Sequence, residues 1–267
     1  HVCHVNSYCR GVVKDPVDEC QEAISIIKTL KGQINTEVYH AVANGTNGAC
    51  DKSGNVIANV PRNCLAARGY EQTIDGMREA IKDGYASVIA VKSGAISYVD
   101  GKEALEIYNK SKTMVGMSFP VNLPASAYHL TTAKDESGEF VVDAVSTDGG
   151  SHPRNVAIQS TMALVKFGAL SPSDMANKLS WTPSRMLGLL NKGHFSEGAD
   201  ADITVIEPNS GKPIMSFVDG LPIMIDGKVV GKGGKMLVTA AAEKTMSDSG
   251  VNFEIIDLSL SKLYRGF

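Results

Sequence analysis

An α/β fold built on a parallel sheet is the architecture this sequence predicts, and three observations predict it. The opening HVCHV (1–5) is short, apolar and β-rich. A helix pattern and a second strand-like run, INTEVYHAVANG (34–45), follow it. Much later FVVDAVSTDGG (140–150) resumes the strand pattern and ends in a Gly-rich turn. Strand, helix, strand with this spacing is the βαβ unit of a parallel sheet.

The elements follow in order. Asp15-Pro16-Val17-Asp18 reads as a helix start, with Asp as N-cap and Pro in the first turn, and Ala23, Ile27 and Leu30 form its apolar stripe. The strand at 34–45 runs into a loop at Asn44-Gly45. Residues 46–135 interrupt the rhythm for too long to be one connection, so an inserted subdomain is expected there. Within it, 71–83 and 101–110 read as helices, and 86–91 and 95–99 as short strands around Lys92-Ser93-Gly94. Three helices are expected after 150, opened by Pro153, by the capping-box pattern Ser171-Pro172-Ser173-Asp174, and by Thr182-Pro183. After Gly198 the pattern turns to β, with an Asp226-Gly227 hairpin.

The chain has 267 residues, 43% of them hydrophobic, and a net charge of −3. Mixed charge of this size gives no footprint for nucleic acid or an anionic membrane. No apolar run approaches the ~20 residues of a membrane helix. Five cysteines without a CxxC pair read as reduced thiols and predict a cytoplasmic location, with Cys3 inside the opening strand. No Cys–His or Ser–His spacing suggests a covalent nucleophile.

Four places carry residues able to do chemistry. His4 closes the opening strand, where an imidazole at a strand's C-terminal tip can bind a metal; a core histidine bonded to a backbone carbonyl fits the same local pattern. His1 stands three residues earlier in the same run, as a second polar group or simply the chain's first residue. Asp148 follows an apolar run and precedes Gly149-Gly150. A carboxylate there can hold a divalent ion and accept a proton from water, or cap the next helix as a turn residue. In Ser151-His152-Pro153-Arg154, read as a helix start, His152 and Arg154 offer an anion site for a substrate carboxylate, or Arg154 is a solvated helix residue. Tyr39, His40 and Asn44 follow the second strand; Tyr39 and Asn44 can meet substrate polar groups, or be a packed Tyr and a turn Asn.

Taken together, these motifs resemble the amidohydrolase superfamily. HVCHVNS looks like its strand six with the ligand histidine, and STDGG like its strand eight with the catalytic aspartate. The most specific match is Trp181-Thr182-Pro183-Ser184-Arg185-Met186-Leu187-Gly188-Leu189 with Gly193 and Glu197-Gly198-Ala199-Asp200-Ala201-Asp202, similar to the tail that leads into the family's β-sandwich. The resemblance implies the C-terminal part of a (β/α)8 TIM-type barrel. It divides as 1–45 for strands six and seven with a helix, 46–135 inserted, 136–195 for strand eight and helices, and 196–267 for part of a small β-sandwich and the C-terminal tail.

The resemblance also implies zinc, as one or two divalent ions, held by His4 and Asp148, with Asp148 as the proton-transferring carboxylate. His152, Arg154, Tyr39 and Asn44 fall to a small carboxylate-bearing substrate. STDGG-SHPR points to N-acyl-D-amino-acid deacylases, and TEVYH equally to dihydroorotases and hydantoinases. Asn6 stands where the deacylases carry Lys, and Gly149 where the cyclic amidases carry His. A non-catalytic scaffold subunit of the same fold is the third alternative, and a homo-oligomer is the expected assembly. One His and one Asp fall short of the roughly three protein ligands of catalytic zinc. A missing N-terminal barrel segment or partner chain is therefore expected. This chain by itself should show no amidase turnover and should gain it when the upstream segment is supplied; full activity from the chain alone refutes this.

Overall fold

The computed structural model describes residues 1–149 and 152–261. Two compact units separate: His1–His40 with Ala125–Ser146 and Val156–Phe267, and Ala41–Pro124 with Thr147–Asn155. In the first unit the opening strand is shorter than HVCHV suggests. Only Val2 is in register, donating its N–H to Asn35 O at 2.8 Å and accepting from Glu37 N–H at 3.2 Å, a parallel bridge to Thr36. His4 then takes a left-handed backbone, φ 56, and starts a 3-10 turn over Val5–Tyr8. Helix α1 (Pro16–Thr29) is N-capped by Asp15, whose carboxylate accepts from Val17 N–H at 2.9 Å. Strand β1 (Glu37–Tyr39) follows, buried at all three positions.

The chain then enters the second unit. Strand β2 (Ala43–Asn47) occupies the place where a loop at Asn44-Gly45 is expected: Asn44 lies opposite Phe119 and Gly45 opposite Ser118 in an antiparallel ladder. Backbone pairing with a buried strand overrides the turn preference of Asn-Gly. Helices α2 (Asn59–Ala67) and α3 (Ile74–Lys82) precede a hairpin of β3 (Ser87–Lys92) and β4 (Ala95–Val99). Helix α4 (Gly101–Lys110) and β5 (Gly116–Pro120) complete a sheet of order β2-β5-β3-β4. Its core packs Met77 and Ile81 against Val88, Val99, Tyr108, Met117 and Phe119. Fully burying one such side chain is worth about 1.5–3 kcal/mol.

Helix α5 (Pro124–Thr132) leads back to the first unit, where β6 (Ala144–Ser146) pairs in parallel with β1, Glu37 opposite Ala144 and Tyr39 opposite Ser146. Val2, β1 and β6 thus lie in sequence order as three parallel neighbours, and α1 makes the first crossover. Gly150 and Ser151 lie outside the described residues. The helix expected at Pro153 begins later, as α6 (Ala157–Lys166) with Val156 before it, so His152 and Arg154 sit in an irregular segment with a tight turn, Arg154 N–H donating to His152 O at 2.9 Å. The missing helix start removes the dipole reason for an anion site at those two residues.

Helix α7 (Pro172–Ala176) has the expected capping box from Ser171 and Asp174. A π-helical turn, Asn177–Trp181, joins it to α8 (Thr182–Leu187), which ends on Gly188 at φ 77. Next come β7 (Ile203–Glu207), β8 (Lys212–Val218), β9 (Leu221–Ile225) and β10 (Lys228–Val229), an antiparallel sheet closed by the Asp226-Gly227 turn. Strand β11 (Met236–Val238), helix α9 (Glu243–Ser249) and β12 (Phe253–Ile255) follow, with β11 and β12 parallel. No helix among the described residues is long and apolar enough to cross a membrane.

Two buried ionisable groups brace the first unit. Lys178, in the π turn, donates to Val142 O at 2.7 Å and lies 4.0 Å over the Phe140 ring; burial pulls its pKa down to about 8. His40 bonds Ser160 Oγ at 2.7 Å and Thr131 Oγ1 at 2.8 Å. Burial, with Lys178 nearby, holds its pKa down to about 4 against 6.5. Below pH 6.5 the unfolded chain takes up a proton that folded His40 refuses. Stability should therefore fall as pH drops through that window, by up to about 3 kcal/mol. Urea titrations near neutral pH and near pH 4 should show the loss in the wild type and a smaller one in His40→Gln.

Candidate functional site

In the first unit the chemistry collects around Glu37, the carboxylate that opens the buried strand β1. Its side chain is 8% exposed. Oε1 accepts the backbone N–H of His4 at 2.6 Å and pairs with His4 Nδ1, also at 2.6 Å. Oε2 accepts the hydroxyl of Ser146. The left-handed turn at His4 makes this possible, because it swings the residue's N–H and ring toward the same oxygen. Burial pushes the Glu37 pKa up, but the hydrogen bonds from His4 and Ser146 outweigh it, and the carboxyl ends below its ordinary range.

Tyr39 is buried beneath this pair, with its ring edge-on to His4 at 4.6 Å between centroids. Its hydroxyl accepts from Arg10 Nη2 at 3.3 Å. Asn6, at the position where a Lys would mark a deacylase, is fully buried. It donates to Tyr39 O at 2.8 Å and accepts from Tyr39 N–H at 3.1 Å, extending the sheet by a side chain. His40 is engaged in the core as described. His1, Cys3 and Glu37 each bring a donor atom within 4.8 Å of the others.

In the second unit Asp148 holds a left-handed backbone, φ 48, two residues beyond β6. Its Oδ2 accepts from Arg154 Nη1 at 2.6 Å, and the same nitrogen reaches Ala43 O at 3.4 Å. Arg154 is 5% exposed, and its Nε has no partner among the described residues. The solvated-helix alternative for Arg154 is thereby removed. A buried guanidinium N–H without an acceptor costs about 1–3 kcal/mol, which an incoming anion can recover. The Nε2 edge of the His152 ring abuts Gly45, and burial followed by the Arg154 charge lowers its pKa. Asn44 is half-buried in β2.

The structure thus joins His4 with Tyr39, and Asp148 with Arg154, within their own units. Sequence reasoning missed Glu37 as a site residue; the signal was a lone acid inside the strand run Thr36-Glu37-Val38-Tyr39.

Residues 57–230 match the family model described as Amidohydrolase family. A dihydroorotase of Methanothermobacter thermautotrophicus is 29% identical over 106 residues, 31% of this chain and 25% of that protein. A dihydroorotase of Pelotomaculum thermopropionicum is 28% identical over 116 residues, 36% of this chain and 27% of that protein. Among solved structures, a D-aminoacylase studied for its binuclear metal centre aligns over 80% of this chain and 44% of its own, with TM-score 0.52 and 14% identity. A formyltransferase/hydrolase complex of Methylorubrum extorquens bound to methylofuran aligns over 93% of this chain and 48% of its own, with TM-score 0.51 and 17% identity. The chain therefore covers about a quarter of these curated relatives and under half of these structures.

The Gly45–His152 contact leaves no room for a methyl group, since a Cβ at 45 would meet His152 Nε2 at 2.2 Å. Gly45→Ala should destabilise the protein by about 1–3 kcal/mol, measured as a lowered denaturation midpoint; an unchanged midpoint would show that the ring moves aside at no cost.

Proposed function

The chain belongs to the Amidohydrolase family, and on that premise we propose that it carries part of a metal-dependent hydrolase. The bond cleaved is a non-peptide amide C–N bond in a small, carboxylate-bearing substrate of the N-acyl amino acid class. In this reading Val2, β1 and β6 are strands six, seven and eight of a (β/α)8 barrel. The second unit is a segment inserted after strand seven, and β7 to β10 belong to a small β-sandwich. The other strands come from a segment or partner chain beyond this sequence, in a cytoplasmic homo-oligomer.

The observation that carries the reading is the pair between Glu37 and His4 Nδ1. A ligating histidine commonly gives one ring nitrogen to a carboxylate, which fixes its tautomer and leaves the other nitrogen to face the metal. His4 so held is one donor proposed for one or two divalent ions, zinc by the imidazole and carboxylate donor types, and the Asp148 carboxylate, within its own unit, is the other. When bound, the ion supplies Lewis acidity that polarises the amide carbonyl and makes water more acidic.

The protein's own residues do the rest. Asp148 accepts the proton of the attacking water and delivers it to the leaving nitrogen. Arg154, with its unsatisfied Nε, binds the substrate carboxylate, and neutral His152 beside it adds a hydrogen bond. Tyr39 supports the His4 ring, and Asn44 lines the substrate's path. A second reading, hydrolysis of a cyclic amide, is favoured by the two dihydroorotases among the relatives.

In the intact zinc-loaded protein, Asp148→Asn should lower kcat by about 10²–10⁴ while the circular dichroism spectrum stays unchanged. Arg154→Lys should raise KM for N-acyl amino acids. Turnover of cyclic amides alone would favour the second reading, and an Asp148→Asn protein with full turnover would end both.

A further inference from the structure

A strand inside a parallel sheet is normally apolar on both faces, because something packs against each. The opening strand is not. Val2 and Val5 go to the apolar core shared with Cys20 and Ile27 of α1. The alternate positions, His1 and Cys3, are both exposed, although Cys3 is expected inside. The Val2–Thr36 bridge sets the register, so Glu37 stands beside Cys3 one residue further along, across the ~4.8 Å that separates neighbouring strands. A nitrogen of His1, Sγ of Cys3 and an oxygen of Glu37 then fall within 4.8 Å of one another.

We propose that His1, Cys3 and Glu37 form a cation site for a zinc-class divalent ion, separate from the role given to His4. Imidazole, thiolate and carboxylate are the three donor types that zinc takes in proteins, and three protein ligands leave a fourth position for water. A carboxylate has about four lone-pair sites. Glu37 accepts two hydrogen bonds, from His4 N–H and the Ser146 hydroxyl, and Oε1 also lies 2.6 Å from His4 Nδ1, so acceptor capacity remains for the ion. Cys3 binds as thiolate and gives its proton to solvent. The sulfur donor selects zinc or cadmium over magnesium or calcium. Exposure of His1 and Cys3 gives the ion its path, and buried Glu37 anchors it. Asp148, His152 and Arg154 take no part; Glu37 is shared with the His4 pair of the hydrolase reading, and the Asp148→Asn arm below separates the two.

Cobalt titration of the full chain tests this. One cobalt per chain is expected, with a thiolate-to-metal charge-transfer absorption that zinc removes and magnesium leaves. Cys3→Ser should abolish the absorption, and His1→Ala should weaken binding by at least about tenfold, both with unchanged circular dichroism. Asp148→Asn should keep the absorption. A wild type without the charge-transfer band, or a Cys3→Ser chain that retains it, overturns the proposal.

Discussion

The first unit depends on one buried carboxylate. Glu37 sits in β1 with almost no solvent access, and a charge in that position is tolerable only if its oxygens are satisfied. The backbone N–H of His4 from the opening segment and the hydroxyl of Ser146 from β6 donate to them, and His4 Nδ1 lies 2.6 Å from the same Oε1. The carboxylate therefore ties the ends of three successive parallel strand positions together. It also explains the left-handed turn at His4, an uncommon conformation for a residue with a Cβ. The turn is held because it brings the N–H and Nδ1 to the same oxygen.

The second unit repeats the logic with the signs reversed. Arg154 is a buried cation on an irregular segment, and Asp148 is its counter-charge. Gly45 gives up its side chain so that His152 can lie against β2. Asp148, like His4, holds a positive φ, and local strain of this kind gathers where a side chain must be aimed. Arg154, 5% exposed against 32% for Asp148, is the member of the pair that most needs its counter-charge, because desolvation weighs on the buried ion.

The regular elements were legible where local chemistry agrees with tertiary context. Asp15-Pro16, Ser171 with Asp174, and Asp226-Gly227 each made the cap or turn that their residues prefer. The errors came where long-range pairing decides. Asn44-Gly45 has turn chemistry yet lies in a strand, because β5 offers a full ladder of partners. Pro153 fits a helix start, but the irregular segment around Arg154 is held by Asp148 and Ala43. Glu37 escaped notice as a site residue since its meaning lies in His4 and Ser146, 33 and 109 residues away. The family's motifs at 181–202 were legible because they sit in one continuous stretch, and the family match covers them.

The chain belongs to the Amidohydrolase family; under the proposed reading Glu37, 2.6 Å from Nδ1, sets which nitrogen of His4 is basic. Nitrogen-15 NMR of His4 in the intact protein, before and after zinc is added, tests this most directly. Nδ1 should carry the proton in both spectra, while the Nε2 resonance moves on zinc addition and Glu37→Gln scrambles the tautomer. A proton resident on Nε2, insensitive to zinc and to Glu37→Gln, would contradict the role assigned to both residues.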